Sequence, residues 1–553
     1  MLKEEIASLL EQSLKEAQKR GRIPSVTIPE ISVEHPQNEA YGDYASSLPI
    51  RLAHQTSIGP LELANIITQS IPHVAILKKV EAVAPGFINF TISDNWLAKQ
   101  VNTILNSGMD YGCLNIGKGS KLQIEFVSAN PTGPLHVGHG RGAVLGSTLA
   151  NVLSSSGYIV EKEYYINDAG TQMQAFHESL CARYLELFGK RAEISANGYH
   201  GNYMIDLAKE IFAERGEELL KLPPEEALQQ IGKLGQEKII ASIRDDLNSL
   251  GVQFDVWFSE KSLYQNEQYE KVMSLLKQKG AIVEKEGAIW FSSPGQTENK
   301  DNVLVRGTGV PTYFASDCAY HYNKFVERGF EHVINIWGAD HQGHIPRLKA
   351  VLDVLGINPE RLRVMTVQMV TLRRNGVEVK LSKRSGEIVT LREIIDEVGA
   401  DACRFFFLSR ASSSQMDFDL ELAKRQSLDN PVYYVQYAHA RIASIFRMAR
   451  ENNIDYRQGD VSLLTTEPEL ILIKKMVQLP EVLELVTRNI EPHHLPHYAQ
   501  DLATAFHSFY KQCRVISEEN VALTQARLKL VAAAQIVFAK TLKIMGITAP
   551  EKM

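Results

Sequence analysis

The 553-residue chain has little cysteine. Its five thiols, Cys113, Cys181, Cys318, Cys403 and Cys513, are scattered, with no Cys-x-x-Cys pair. That pattern excludes a dense disulfide framework and predicts a reducing compartment. Long apolar runs are also missing. No stretch of about 18 apolar residues occurs, which argues against a membrane helix. The charged start Met1-Leu2-Lys3-Glu4-Glu5 lacks the apolar core of a secretory signal. A cytoplasmic protein without membrane contact is expected. Nor is there a surplus of positive charge, because 59 Lys and Arg face 65 Asp and Glu. Any nucleic-acid phosphate would have to meet a local basic face. A P-loop, Gly-x4-Gly-Lys-Ser/Thr, is absent as well. What remains is ordinary globular composition, 44% hydrophobic and 22% charged, with length for about three or four domains.

Ile6, Leu9, Leu10 and Leu14 recur at helical spacing and predict a helix over 2–18. Pro24, Pro29 and Pro36 follow, then helical runs through about 56 and after Pro60. Gly86-Phe87-Ile88-Asn89-Phe90 alternates as a strand. Together these predict an N-terminal α+β domain over 1–110. From Lys121 to Val127 the chain alternates as a strand. A turn-rich loop runs from Ser128 to Pro134, and a small-residue helix is expected over about 138–155. Tyr158 to Ile166 returns to strand. Strand, glycine-bearing loop, helix and strand predict a Rossmann-like α/β domain over 111–420, with ligands beyond the carboxyl ends of its strands. A helical, charged insertion is expected at about 171–300. The sheet should resume near 303 and continue at His332–Trp337 and Val364–Leu372. Thr390-Leu391-Arg392-Glu393 is a capping-box signature opening a helix over 391–398. No glycine occurs between Gly459 and Gly546. Helical runs at 431–451, 468–488, 496–518 and 521–545 predict an all-α bundle over 421–553.

Two segments carry chemistry. His136-Val137-Gly138-His139 lies where the small-residue helix begins. A helix start offers unpaired amides and a positive dipole end to an anion, and two imidazoles there can donate to phosphate oxygens. Gly138 permits close backbone approach, and Gly133, Gly140 and Gly142 are expected to keep it open. A metal site or two surface histidines are the other readings of this pair. Lys380-Leu381-Ser382-Lys383-Arg384 places three cations in five residues. It could close over a triphosphate; taken alone, it could equally be an exposed basic loop.

As a pair, the segments resemble the two signature motifs of class I aminoacyl-tRNA synthetases, His-Ile-Gly-His and Lys-Met-Ser-Lys-Ser/Arg. The strings from Glu125 through Asn130 to Pro134, Tyr165 to Gly170, Trp337 to His341, and Val435 to Ile442 narrow the resemblance to bacterial-type arginyl-tRNA synthetases. That resemblance spans essentially the whole chain. It implies ATP-dependent activation of L-arginine and transfer to the terminal adenosine of tRNA(Arg), with Mg²⁺ accompanying ATP and no protein metal site. It implies that His136, His139 and Lys383 stabilise the transition state, helped by Lys380 and Arg384. The resemblance places ATP against His136, Gly138, His139, Gly338, Asp340, His341, Met369, Val370 and Lys383. It assigns Tyr313 and Asp317 to the guanidinium, and Glu125 and Asn130 to the ammonium and backbone of the amino acid. It gives tRNA contacts to Tyr433, Tyr437, Arg441 and Met553 in a helical anticodon reader, and to the N-terminal domain at the tRNA elbow. A monomer is expected.

Plainer readings stand beside these assignments: helix capping for Asp317, core packing for Tyr313, Tyr433 and Tyr437, and a surface strand position for Glu125. Two other functions remain open at this stage. One is another class I synthetase, such as the cysteine-specific one, although no thiolate cluster for its zinc is visible. The other is an RNA-binding relative without catalysis.

Overall fold

The computed structural model describes residues 1–190, 192–292, 302–379 and 389–553. The N-terminal part contains α1 (Leu2–Lys19), β1 (Tyr44–Ser46), α2 (Leu48–Thr56), α3 (Pro60–Ser70), β2 (Leu77–Val83), β3 (Phe87–Ile92) and α4 (Asp94–Ser107). Its three strands form an antiparallel sheet in the order β1-β3-β2. The predicted first helix buries Ile6, Leu10 and Leu14 as the sequence spacing requires.

The central part begins with β4 (Lys121–Glu125), α5 (Val137–Ser155) and β5 (Ile159–Ile166). Helices α6 (Thr171–Glu186), α7 (Asn202–Arg215) and α8 (Pro224–Ser249) then precede β6 (Val256–Ser259). Next come α9 (Lys261–Gln265), α10 (Gln268–Gln278), β7 (Ile282–Lys285), β8 (Ala288–Phe291) and β9 (Val303–Val305). They are followed by α11 (Tyr313–Tyr322), β10 (His332–Gly338), α12 (Ile345–Val354), β11 (Leu362–Val367), β12 (Val370–Arg374) and β13 (Val377–Glu378). The run closes with α13 (Leu391–Val398), α14 (Ala400–Leu408), β14 (Met416–Asp419) and α15 (Leu420–Lys424).

Five of these strands make the main sheet, in the order β11-β10-β4-β5-β6, every neighbouring pair parallel. This is the Rossmann-like arrangement, with two corrections to the expected course. The sheet resumes at β6, inside the stretch expected to be a helical insertion. The strand near 303 does not belong to it, because β9 pairs antiparallel with β8 in a separate small sheet. The expected strand at Val364–Leu372 is also two strands. β11 ends at Val367, and β12 leaves for another sheet, β13-β12-β14.

Helix α5 is buried on nearly every face, which explains its small residues. A Cβ on Gly146 would lie 2.3 Å from the Phe126 ring, and one on Gly140 would lie 2.6 Å from Leu391 Cδ1. These glycines therefore let the sheet and α13 close on the helix. For Gly140 this replaces the expectation of an open nucleotide approach.

The C-terminal part is all helical: α16 (Pro431–Glu451), α17 (Glu467–Val477), α18 (Leu479–Asn489), α19 (His494–Gln512) and α20 (Val521–Met545). The run expected at 468–488 is split by Pro480 at the start of α18. Arg404 of α14, 1% exposed, ties this bundle to the sheet domain. It donates to the carbonyls of Met545 and Leu250 and to the hydroxyls of Ser147 and Thr148.

Candidate active site

Because the main sheet is parallel, the carboxyl ends of its strands lie along one edge, where open α/β sheets bind ligands. Glu125, Glu260, Gly338 and Met369 stand at or just past the ends of β4, β6, β10 and β11.

His136 is the N-cap of α5. Its Nδ1 accepts from the Gly138 N–H at 3.1 Å, and His139 Nδ1 accepts from the His136 N–H at 3.3 Å. The two rings stack with centroids 3.7 Å apart. With both Nδ1 atoms accepting, each neutral ring carries its proton on Nε2. A Cβ on Gly138 would crowd the His136 ring at 3.1 Å, so glycine there admits the folded-back imidazole.

The second motif's Lys380, Lys383 and Arg384 lie outside the described residues. Its flanks do not. Val379 N–H donates to the Leu372 carbonyl on one side, and Leu391 N–H donates to the Leu135 carbonyl at 2.8 Å on the other. His136 and Thr390 form an isolated antiparallel bridge. The segment leaving the second motif is thus hydrogen-bonded onto the segment entering the first. The predicted capping box is present too: Thr390 Oγ1 accepts from the Glu393 N–H, and Glu393 returns a carboxylate to the Thr390 N–H.

The residues expected at ATP divide. Asp340 and His341 are exposed and form a pair at 3.5 Å. Met369 is 76% exposed, whereas Val370 is 5% exposed and its side chain packs in the core. Arg141 of α5 donates to the Gln368, Ser414 and Ala411 carbonyls. That clamp holds the stretch carrying Met369 against the histidine helix.

The amino-acid side of the edge is rich in carboxylates. Val127 (φ 68°) and Ser128 (φ 40°) both take left-handed conformations just past β4. Such backbone is strained, above all for a β-branched residue. The sharp turn folds Ser128 back so that its hydroxyl donates to Glu125 Oε1 at 3.0 Å and accepts from the Tyr165 N–H. Glu125 is buried rather than on a surface strand position. Asn130 is exposed, and its amide donates to Gln172 Oε1 at 2.7 Å. Tyr313 opens α11 and is half exposed. Asp317, one turn later, accepts from His344 Nε2 at 2.6 Å, while His344 Nδ1 accepts from Arg347. Burial pushes the Asp317 carboxyl up, but His344, His321 and Lys324 outweigh it and hold the group below its ordinary range. Neither helix capping for Asp317 nor core packing for Tyr313 describes these positions.

Sequence reasoning missed Glu260 and Asp168. Asp168 is fixed by the Ser259 hydroxyl at 2.6 Å and the Lys261 N–H at 3.1 Å. Glu260 is 4% exposed, and its Oε2 has no hydrogen-bond partner. Burial raises its carboxyl to about 7, with Ser316 and Tyr165 opposing and Asp317 and Asp168 adding to the rise. A buried orphan carboxylate oxygen among further carboxylates is a receptor for a cation rich in donors. The signal in the sequence was slight: Ser259-Glu260-Lys261 reads as a solvated turn.

On the bundle, Tyr433 and Tyr437 stack with centroids 6.1 Å apart. The Arg441 guanidinium lies between the Tyr437 and Tyr510 rings, 4.6 and 4.5 Å from their centroids. Tyr510 was not anticipated. The chain end runs along α16: His439 Nδ1 donates to the Pro550 carbonyl, Arg447 donates to the Glu551 carbonyl, and Met553 is exposed.

Comparison with known proteins agrees with this geometry. Residues 4–92 match the arginyl tRNA synthetase N terminal domain, 100–412 the class I (R) tRNA synthetase catalytic domain, and 435–553 the DALR anticodon binding domain. An arginine–tRNA ligase of Dehalococcoides mccartyi is 56% identical over 552 residues, covering 100% of this chain and 99% of that one. One from Geobacter sp. is 46% identical, with full coverage of both. The Thermus thermophilus arginyl-tRNA synthetase structure superposes with a TM-score of 0.80 at 22% identity over the full length of both chains, a likeness of fold. The chain that builds this parallel sheet, its stacked histidines and its carboxylate pocket belongs to the arginyl-tRNA synthetase family of class I enzymes.

Proposed function

We propose that this protein activates L-arginine with ATP and transfers it to the 3′-terminal adenosine of tRNA(Arg), releasing pyrophosphate and AMP. The observation that carries this reading is the placement of the stacked His136 and His139 at the start of α5 and of Glu125 and Glu260 at the ends of β4 and β6 in one parallel sheet, with Asp317 beside Glu260. Both reacting groups come from substrates, the arginine carboxylate attacking and pyrophosphate leaving. The protein's work is therefore orientation and charge stabilisation.

In this reading the Nε2–H groups of His136 and His139 donate to ATP phosphate oxygens as charge develops there. Lys383 adds a cation, with Lys380 and Arg384 as lesser helpers. Gly338, Asp340, His341 and Met369 border the nucleoside, and Mg²⁺ enters bound to the phosphates. Asp317, Tyr313 and Glu260 take the guanidinium, whose planar donors pair with carboxylates. Glu125 and Asn130 take the ammonium end. Tyr433, Tyr437, Arg441 and Met553 would meet unstacked anticodon bases, where aromatic faces are useful. The N-terminal domain is left to contact the tRNA elbow. We take the enzyme to act as a monomer and to work in the cytoplasm, the latter from its scattered free thiols.

The test is pyrophosphate exchange with each amino acid, run with and without tRNA. Exchange is expected with arginine alone among them, and the tRNA arm guards against an activation step that needs tRNA. Exchange confined to cysteine, or tRNA binding without exchange under any condition, would overturn the reading.

A further inference from the structure

Helix α11 does not end as an α-helix. It continues as a π-helical turn, Asn323–Glu327, an irregularity that often accompanies function. The turn carries Lys324 into the protein interior, at 0% exposure. The ammonium donates to Glu125 Oε2 at 2.7 Å and Asn335 Oδ1 at 3.0 Å, and lies 4.1 Å from the centre of the Tyr320 ring. Asn335 in turn donates to His321 Nε2 at 2.8 Å, and His321 Nδ1 donates to the Asp317 carbonyl at 2.8 Å. With Ser128 on the other oxygen of Glu125, an unbroken polar chain joins the two ends of the arginine pocket.

A buried ion pair is a poor source of stability. Apolar groups of equal volume often do as well or better, because both ions must be desolvated. The pair here also occupies strand ends and a helix that border a binding pocket. We propose that Lys324 is a positioning residue for amino-acid recognition: it fixes the Glu125 side chain in the orientation that receives the substrate's α-ammonium. This rests on the reading of Glu125 given above. Lys324 holds one carboxylate oxygen and Ser128 the other, so the plane of the group is set before substrate arrives. Without the ammonium, Glu125 Oε2 loses its partner at this depth, and the carboxylate is free to turn away from the substrate. Preorganisation of this kind acts on binding and leaves the reacting phosphate untouched.

The experiment compares L-arginine with 5-guanidinopentanoic acid, which is arginine without its α-amino group. Binding to the full-length protein is measured by calorimetry. The parent protein should prefer arginine by about 10- to 100-fold, the range of one charge-assisted hydrogen bond. Lys324→Met should remove most of that preference, with binding of the desamino ligand changed less than about threefold, within the scatter of context effects. A structural lesion would weaken both ligands together. Asn335→Ser removes the second acceptor of Lys324 without stranding a charge, and should cut the preference several-fold. An unchanged ratio in Asn335→Ser overturns the proposal even if Lys324→Met fails to fold, as does a parallel loss of both ligands in Lys324→Met. Glu125→Gln separates the two levels. If that variant keeps the preference, the reading of Glu125 falls and this one with it. If it loses the preference while the Lys324 and Asn335 variants keep it, Lys324 alone is excluded.

Discussion

Glu260 ties arginine binding to pH. Burial lifts its carboxyl from 4.5 to about 7, so near neutrality roughly half of the ligand-free protein holds that proton. A guanidinium entering among Glu260, Asp317 and Tyr313 favours the ionised form and expels it. If binding returns the carboxyl to its ordinary range, arginine affinity falls about tenfold between pH 8 and pH 6. Glu260→Gln should abolish this step and weaken arginine about tenfold or more at pH 8, the loss of a charge-assisted hydrogen bond. Stability moves the opposite way. The folded-state value lies above the unfolded one, so the contribution of this group is fully present below about 4.5 and lost as pH rises through about 7. The loss amounts to roughly 3 kcal/mol at 1.36 kcal/mol per unit. Ligand-free Glu260→Gln should therefore melt higher than the parent at pH 8, with the two converging near pH 5. Calorimetric titration of arginine from pH 6 to 8 and thermal melts of both proteins check the argument. A flat arginine affinity, or a pH step surviving in Glu260→Gln, would refute it.

Other perturbations read other parts of the site. His139→Ala should lower the activation rate about 10²- to 10³-fold while binding of arginine and tRNA changes little, as for loss of one transition-state donor; single-turnover formation of the adenylate measures it. Asp317→Asn removes charge from the guanidinium pocket while leaving an amide oxygen that can still accept from His344. The KM for arginine should rise at least tenfold, measured in the exchange reaction with tRNA present, and that for ATP should stay near the parent value. Arg441→Ala removes the cation from between Tyr437 and Tyr510. Binding of tRNA should weaken by about 1–3 kcal/mol if a base stacks there, read by filter binding with arginine activation followed in parallel.

The features that local chemistry decides were open to a reader of the sequence. Thr390 and Glu393 close their capping box because four consecutive residues contain both partners. The last helix runs from 521 to 545, as its unbroken pattern required. What escaped depends on distant partners. Val256 to Ser259 is a four-residue strand whose ladder, among the described residues, is to β5, 93 residues earlier by the Lys162–Asp255 contact beside it. Val303 to Val305 has the same local look and joins a different sheet. Gly140, read as an opening for a nucleotide, turned out to seat the Leu391 side chain from elsewhere in the chain. At the site, the His136 and His139 motif announced itself, since helix starts bind anions by local geometry. Glu260 and Lys324 did not. Glu260 sits among polar neighbours in sequence and Lys324 between Asn323 and Phe325, and only the folded chain removes both charges from water.

Arg404 also bears on the order in which the protein can be completed. The guanidinium satisfies the Met545 carbonyl, which lies 141 residues further along the chain, and reaches Leu250 in the opposite direction. Burial lowers its pKa to about 10, against the opposing pull of Asp401. During synthesis from the N-terminus, everything needed for the parallel sheet exists long before that final acceptor emerges. A nascent chain at that stage has a cation at the junction with part of its coordination missing, and water must fill the place. The expectation is a catalytic half that stays loosely closed on the ribosome and tightens when the last turn of α20 arrives.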